Sequence, residues 1–206
     1  MSDSTITDKV HSKFVYNRRL EVLCRHFAEM IPANARVLDV GCGDGNLDRM
    51  LMDKRPDITI SGIDVFVRPT SYIDVVTFDG HTIPYDENTF DVVMFVDVLH
   101  HTDDANALLK EADRVANDCV IIKDHSRDGI LAGQTLRFMD DVGNAKHGVR
   151  LPYNYWSNAE WKTAFDKLNL KSNERRTKLS LYPVPADWVF GRGLHFIDCL
   201  TVRGKV

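Results

Sequence analysis

Apolar and polar residues follow one another along this chain in blocks that predict helices and strands in turn. A run of apolar residues at helical spacing predicts a covering helix over residues 11–31, after a loose tail at 1–10. The residues of that run are Leu20, Leu23, Cys24, Phe27 and Ile31. Pro32 ends the helix, because proline cannot continue it.

Five short apolar runs come next and predict strands at 36–40, 58–64, 74–80, 90–97 and 118–123. Helical patterns separate some of them, at 46–54 and 103–116. The near-continuous apolar run from Phe90 is typical of a central parallel strand that is covered on both faces. Pro69 and the short connection 65–73 argue against a full crossover helix there. This alternation predicts a doubly wound α/β fold with a parallel sheet.

The pattern is less regular in the last third of the chain. It predicts helices at 129–142 and 159–168, an aromatic-rich loop at 147–156, and strands at 171–181 and 194–202. We expect one domain over 1–206, with 126–161 as a substrate-binding or lid insertion. Polar and aromatic candidates for acceptor binding are concentrated in this insertion: Arg137, Asp140, Asp141, Asn144, His147, Arg150, Tyr153, Asn154, Tyr155 and Trp156.

The first predicted strand runs into a glycine-rich turn, VLDVGCGDG at 37–45, which opens a predicted helix. Nucleotide-type α/β folds hold a phosphate or a cofactor at such a turn, because glycine accepts positive φ and lets a ligand approach the backbone. Asp64 ends the second predicted strand, where an acid can accept both hydroxyls of a ribose or can simply form a turn. Asp79 ends the third, where it either caps its own loop or accepts a hydrogen bond from a base amine.

Composition narrows the classes of partner. The net charge of −4 over 206 residues and the pI near 6.0 give no electrostatic reason to expect nucleic acid or an anionic membrane. The four cysteines form no CxxC pair, so neither a zinc site nor a disulfide framework is indicated, and a reduced, cytoplasmic setting is expected. The polar N-terminus does not resemble a signal peptide, and no apolar run is long enough to span a membrane.

In this order, the segments resemble the class I S-adenosylmethionine-dependent methyltransferases, in particular the broad type 11 group. The resemblance rests on VLDVGCGDG, on GID at 62–64, on FDG at 78–80, and on IPYDENTFDVV at 83–93 followed by DVLHH at 97–101. It covers most of the chain up to about Lys123. It implies S-adenosylmethionine as cofactor and a Rossmann-like, mostly parallel sheet of seven strands, with helices on both faces and a reversed last hairpin. The short 65–73 connection departs from the family, which usually has a helix there.

Carried over by position, the resemblance assigns cofactor binding to four segments of this chain. Gly41 and Gly43 would contact the methionine part, Asp64 the ribose and Asp79 the adenine amine. The remaining assigned residues are Asp39 and Cys42 in the turn, Gly80 beside Asp79, and Val96, whose backbone would lie beside the methionine amine.

A dinucleotide is the rival cofactor. Dehydrogenases of the NAD type need G-x-G-x-x-G, whereas position 46 is Asn here. In a dinucleotide site Asp44 would face the pyrophosphate, and the two negative charges would repel each other. Beside the positively charged sulfonium of S-adenosylmethionine the same carboxylate causes no repulsion. The turn therefore favours S-adenosylmethionine.

Three histidines are candidates for general-base catalysis: His100 and His101 after the fourth predicted strand, and His125 after the fifth. They lie at the carboxyl edge, where open α/β sheets bind ligands, and histidine titrates near neutral pH. The alternative for each is a packing or hydrogen-bonding role. Asp124 is a candidate orienter of His125, although neighbouring residues of a regular strand point to opposite faces, so at most one of the two is expected to face the cleft.

Arg19 in the covering helix is a candidate for binding a ligand carboxylate, the alternative being a solvated basic face. We expect a methyltransferase that acts on an O, N or C atom of a small molecule by in-line displacement. The main alternative is a cofactor-binding partner or regulatory module without its own activity. RNA methylation is disfavoured by the acidic balance, and the sequence does not indicate an oligomeric state.

Overall fold

The computed structural model describes residues 6–144 and 152–202, with the side chains of 14–142 and 152–202. Within these residues, seven strands form one sheet in the order β3-β2-β1-β4-β5-β7-β6. The strands are β1 (Arg36–Val40), β2 (Thr59–Asp64), β3 (Val75–Thr77), β4 (Phe90–Val96), β5 (Ala116–His125), β6 (Lys171–Arg176) and β7 (His195–Thr201). The first five are parallel, and β7 is antiparallel to both β5 and β6. The predicted doubly wound sheet with a reversed last hairpin is confirmed.

Helices cover both faces of this sheet. They are α1 (Ile6–Met30), α2 (Asn46–Lys54), α3 (Ala105–Val115), α4 (Ala132–Asn144), α5 (Asn158–Leu168) and α6 (Ala186–Phe190), with a 3₁₀ turn at Leu99–His101. One core packs α3 and α5 against the sheet around Phe95 and Trp161. The other packs α1 and α2 against the opposite face around Phe27 and Met94.

Several boundaries differ from the sequence prediction, each for a local reason. Helix α1 already begins at Ile6, so residues 6–10 belong to the helix rather than to a tail, and residues 1–5 lie outside the described chain. Strand β3 is short because it is an edge strand that pairs with β2 alone. Strand β5 extends two residues past Lys123, since β7 pairs with it as far as His125. Strand β6 ends at Arg176, and the short helix α6 was not predicted.

The connection from β2 to β3 has no helix in the described residues 65–74, as its short length and Pro69 predict. None of the described helices is both long and apolar enough to cross a membrane.

The carboxyl ends of the parallel strands meet at one edge of the sheet. Asp64, Val96 and His125 end β2, β4 and β5 there. Because β7 runs the other way, its first residue, His195, lies at the same edge opposite His125. This edge therefore collects polar groups from strands that are far apart in sequence.

Candidate active site

The turn between β1 and α2 is built on glycines with positive φ. Gly41 has φ of 81°, and a β-carbon there would lie 2.5 Å from Val98 Cγ2. Gly43 has φ of 62°, yet a β-carbon there would meet nothing within 4 Å among the described atoms. Gly41 is thus required by packing, whereas Gly43 borders open space that a ligand can enter.

Asp64 joins the end of β2 to this turn. Its Oδ2 accepts a hydrogen bond from the Gly43 amide at 2.8 Å, and its Oδ1 accepts one from the Phe66 amide at 2.9 Å. A carboxylate beside the open face of Gly43 has the position that binding of a ribose requires. The turn and the acid therefore fit a nucleoside-containing cofactor.

Asp79 caps its own loop, which is one of the two alternatives that the sequence leaves open. Its Oδ1 accepts hydrogen bonds from the His81 and Thr82 amides, both at 2.7 Å. Both hydrogen bonds lower the pKa of the Asp79 carboxyl, and the bond from Thr82 has the larger effect. Gly80 follows it with φ of 81°.

Two buried carboxyls lie against each other underneath the glycine turn. Asp39 in β1 is 3% exposed and Asp48 in the first turn of α2 is fully buried. Burial raises the pKa of Asp48 to about 7, and burial together with Asp48 raises that of Asp39. We therefore expect the pair to hold a shared proton near neutral pH.

A partly buried carboxylate, Asp97, follows β4 and has two cationic partners. Asp97 Oδ2 accepts a hydrogen bond from Arg19 Nη2 at 2.5 Å, and its Oδ1 contacts the fully buried Lys123 ammonium. Burial alone would raise the pKa of Asp97, but Lys123 and then Arg19 hold it well below its usual range. Lys123 Nζ also lies 3.2 Å from His195 Nδ1. Arg19 therefore reaches the site and is bound there by a protein carboxylate.

His100 is held by Asp124. Its Nδ1 lies 2.6 Å from Asp124 Oδ1, and the ring is 1% exposed. The same carboxylate accepts hydrogen bonds from the Leu99 amide at 3.1 Å and the His125 amide at 2.7 Å. Burial lowers the pKa of His100, but the Asp124 charge outweighs it and the pKa rises to about 10.

Helix α4 and the segment after it add an acid and a tyrosine to this cluster. The Tyr155 hydroxyl donates to Asp140 Oδ2, which lies 3.5 Å from His100 Nε2. The Tyr155 ring stacks on His100 with ring centroids 5.4 Å apart. Residues 126–161 thus contribute directly to the edge where the histidines lie.

The three predicted histidines come together. The ring centroid of His100 lies 4.0 Å from that of His101 and 4.7 Å from that of His125. Burial, and then the charge of His100, lowers the pKa of His101. Burial, and then the charge of Lys123, lowers the pKa of His125. Both shifts favour the neutral imidazole. His100 Nε2, His101 Nδ1 and His125 Nδ1 are buried and have no hydrogen-bond partner within the described part of the chain.

The expectation that at most one of Asp124 and His125 reaches the site is wrong. The strand ends here, and the Asp124 carboxylate folds back onto the His125 amide, so both side chains contact His100. Sequence reasoning missed Asp97 and His195, although both lie at strand ends on the carboxyl edge, a position that follows from the predicted parallel strands and reversed last hairpin. It also missed Asp48. Of the insertion candidates, His147 and Arg150 lie outside the described residues.

The fold and the glycine turn with its acid are those of the class I S-adenosylmethionine-dependent methyltransferases. More particularly, the chain belongs to the methyltransferase-domain family, whose sequence model matches residues 14–174. Its cofactor is S-adenosylmethionine.

Two curated relatives match about the same share of the chain. One is phosphoethanolamine N-methyltransferase 1 of Triticum aestivum, 33% identical over an alignment of 91 residues; the match covers 39% of this chain and 18% of that protein. The other is 27-O-demethylrifamycin SV methyltransferase of Amycolatopsis mediterranei (strain S699), 31% identical over an alignment of 108 residues; the match covers 45% of this chain and 39% of that protein. The chain therefore matches less than half the length of either relative.

Among solved structures, an S-adenosylmethionine-dependent methyltransferase of Thermotoga maritima shares the fold with a TM-score of 0.63. It is 16% identical, and the match covers 96% of each chain. At this identity the likeness shows the fold alone.

Proposed function

We propose that this protein transfers a methyl group from S-adenosylmethionine to an O, N or C atom of a small-molecule acceptor at the carboxyl edge of the sheet. The observation that carries the proposal is the cluster of three buried imidazole nitrogens, on His100, His101 and His125, that have no hydrogen-bond partner among the described residues. Unpaired buried polar atoms are costly, and they are characteristic of sites that act on a ligand. The names of both curated relatives describe methyl transfer to small molecules, which supports the same acceptor class.

The glycine turn and the strand ends around it would hold the cofactor. Gly41 and Gly43 would border the methionine part, and Asp64 would accept the ribose hydroxyls, exchanging its bond to the Gly43 amide for them. The other proposed contacts are Asp39 and Cys42 in the turn, Asp79 and Gly80 at the adenine, Val96 at the methionine amine, and Arg19 at the methionine carboxylate.

The chemistry is a single displacement. A lone pair of the acceptor atom forms the new bond to the methyl carbon while the carbon–sulfur bond breaks, and its electron pair stays on sulfur. Holding the three atoms in line is the main task of the protein. An acceptor with an O–H or N–H bond must also lose a proton, and His125 Nδ1, which is buried and has no hydrogen-bond partner among the described atoms, would take it.

Calorimetry with S-adenosylmethionine tests the cofactor site. We expect Asp64→Ala to weaken binding at least tenfold, because the ribose hydroxyls lose their acceptor. Asp53→Ala is the matched control, since Asp53 is an exposed acid on α2 whose partner is Arg49 on the same helix. Equal affinity of the Asp64 variant and the control would refute the proposed ribose contact.

A labelled-methyl assay with a panel of small molecules tests catalysis. We expect turnover to fall in His125→Ala while cofactor binding persists, which separates an enzyme from a module that only binds the cofactor. Full turnover by the Ala variants of His100, His101 and His125 alike would show that no histidine of the cluster is a base. Cofactor binding with no methyl transfer to any panel member would favour the binding module.

A further inference from the structure

We propose that His100, His101 and Asp140 bind one divalent transition-metal cation at the carboxyl edge of the sheet. Each residue offers one ligand atom, and these atoms all lie within 4.8 Å of one another. Ligands around a tetrahedral zinc ion are about 3.4 Å apart, since each metal–ligand bond is about 2.1 Å long. A modest contraction of the cluster around the ion would therefore complete the site.

His100 has the orientation of a metal ligand. Its Nδ1 is engaged by Asp124 Oδ1 at 2.6 Å, so Nε2 is the atom that would coordinate, with the ion taking the place of its proton. The residue is 1% exposed and Nε2 has no hydrogen-bond partner in the described structure. Histidines that bind metals typically donate their other ring N–H to a carboxylate, which fixes the ring and makes it a better ligand. Asp124 supplies that carboxylate.

Asp140, and not Asp124, is the carboxylate that can reach the ion. Both oxygens of Asp124 are already used, by the His100 ring and by the amides of Leu99 and His125. Asp140 Oδ2 lies 3.5 Å from His100 Nε2 and accepts a hydrogen bond from the Tyr155 hydroxyl. Ligating carboxylates commonly receive such a supporting hydrogen bond from a neighbouring group.

His101 completes the set of three. Its Nδ1 is buried and lacks a hydrogen-bond partner within the described residues, and its ring lies against that of His100. Two imidazoles and one carboxylate suit zinc, iron(II) or cobalt(II) better than magnesium or calcium, which prefer oxygen ligands. Three protein ligands also leave at least one coordination position open.

The open position gives the metal a role that rests on the proposed function. An oxygen of the acceptor would take it and so be placed beside the cofactor turn. Coordination lowers the pKa of a bound hydroxyl, whose proton would pass to the neighbouring His125 before the oxygen attacks the methyl carbon. Binding of the metal itself does not depend on methyl transfer, so the two proposals can fail separately.

Cobalt(II) titration of the chelator-treated full chain tests the site, because the visible absorption of cobalt reports its coordination. We expect one equivalent to bind with the spectrum of nitrogen and oxygen ligands, and zinc to displace it. Asp140→Asn and His101→Asn should each weaken cobalt binding at least tenfold. His81→Asn is the control, since His81 is an exposed histidine that belongs to neither candidate group of metal ligands. His100→Asn is a third variant, and circular dichroism checks that each variant is folded.

The absence of stoichiometric cobalt binding would overturn the proposal and leave His100 as part of a hydrogen-bonded ion network. So would binding that both Asp140→Asn and His101→Asn leave unchanged, or a thiolate-to-cobalt charge-transfer band, which would point to cysteine ligands. Cobalt binding without any methyl transfer would support the metal site and count against the proposed acceptor chemistry alone.

Discussion

Replacing Asp48 by Asn should stabilise the protein, and the gain should depend on pH. Asp48 is fully buried against Asp39, and its pKa is raised from 3.8 to about 7, first by burial. The folded protein therefore keeps a proton that the unfolded chain releases above about pH 4. A pKa difference of about three corresponds to roughly 4 kcal/mol of stability lost between pH 4 and pH 7. Asparagine has nearly the same shape and cannot ionise, so the variant avoids this loss.

Urea unfolding of both proteins between pH 4 and pH 8.5 measures the effect. The unfolding free energy of the variant minus that of the wild type should be near zero at pH 4. It should rise through pH 5–7 by about 4 kcal/mol from Asp48 itself, and Asp39, whose pKa Asp48 raises, adds to the rise. Taking the difference removes the titration of groups that do not interact with Asp48.

Asp53→Asn is the matched control on the same helix. Asp53 is 58% exposed and pairs with Arg49 at 2.8 Å across one helical turn. Its variant should show no pH-dependent difference, because exposed ion pairs contribute little. A flat difference for Asp48→Asn, or one that falls as the pH rises, would refute the shared-proton interpretation of the buried pair.

Two further comparisons test the turn and the core. Gly41→Ala should lower the unfolding free energy in urea by about 1–3 kcal/mol, because its β-carbon would lie 2.5 Å from Val98 Cγ2 at a φ of 81°. Gly43→Ala also has the strain of a positive φ but meets no atom within 4 Å, so it should destabilise the fold less than Gly41→Ala and should lower S-adenosylmethionine affinity measured by calorimetry; equal effects of both variants on folding would contradict this assignment. Trp161→Phe should cost about 1–3 kcal/mol in the same urea assay, because the buried indole Nε1 donates to the His125 carbonyl at 2.9 Å. A loss well below 1 kcal/mol would mean that water replaces the indole.

The sheet could be predicted from the sequence because its signals are local. Buried parallel strands show continuous apolar runs, and the turn after Val40 shows its glycines directly. Helix α2 has the predicted bounds, since the glycine turn marks its beginning. Among the strands, the least accurate boundaries belong to β3 and β6, the two edge strands, where pairing on one side decides the length.

The candidate site could be predicted only in part, because it depends on pairing between distant segments. The position of His100 and His125 at one edge follows from the parallel sheet. Their contacts with Asp140 and Tyr155 depend on how α4 and the segment after it fold over that edge, and the sequence has no periodic signal for this. His195 joins the site because β7 is reversed, which places its first residue opposite the last residue of β5.

Asp97 and the pair of Asp39 and Asp48 differ in how their charge is balanced, and the difference separates structural from chemical roles. Asp97 has Lys123 and Arg19 as partners and stays ionised, so it is a fixed anchor for both cations. The pair of Asp39 and Asp48 has no cationic partner among the described side chains that affect its pKa, so it must hold a proton instead.

Because this pair lies beneath the turn that receives a cationic sulfonium, arrival of the cofactor would favour loss of that proton. Binding of S-adenosylmethionine should then release protons near pH 7, and Asp48→Asn should reduce the release, as measured by calorimetry in buffers of different ionisation enthalpy. The same proton release in the wild type and the variant would contradict the coupling.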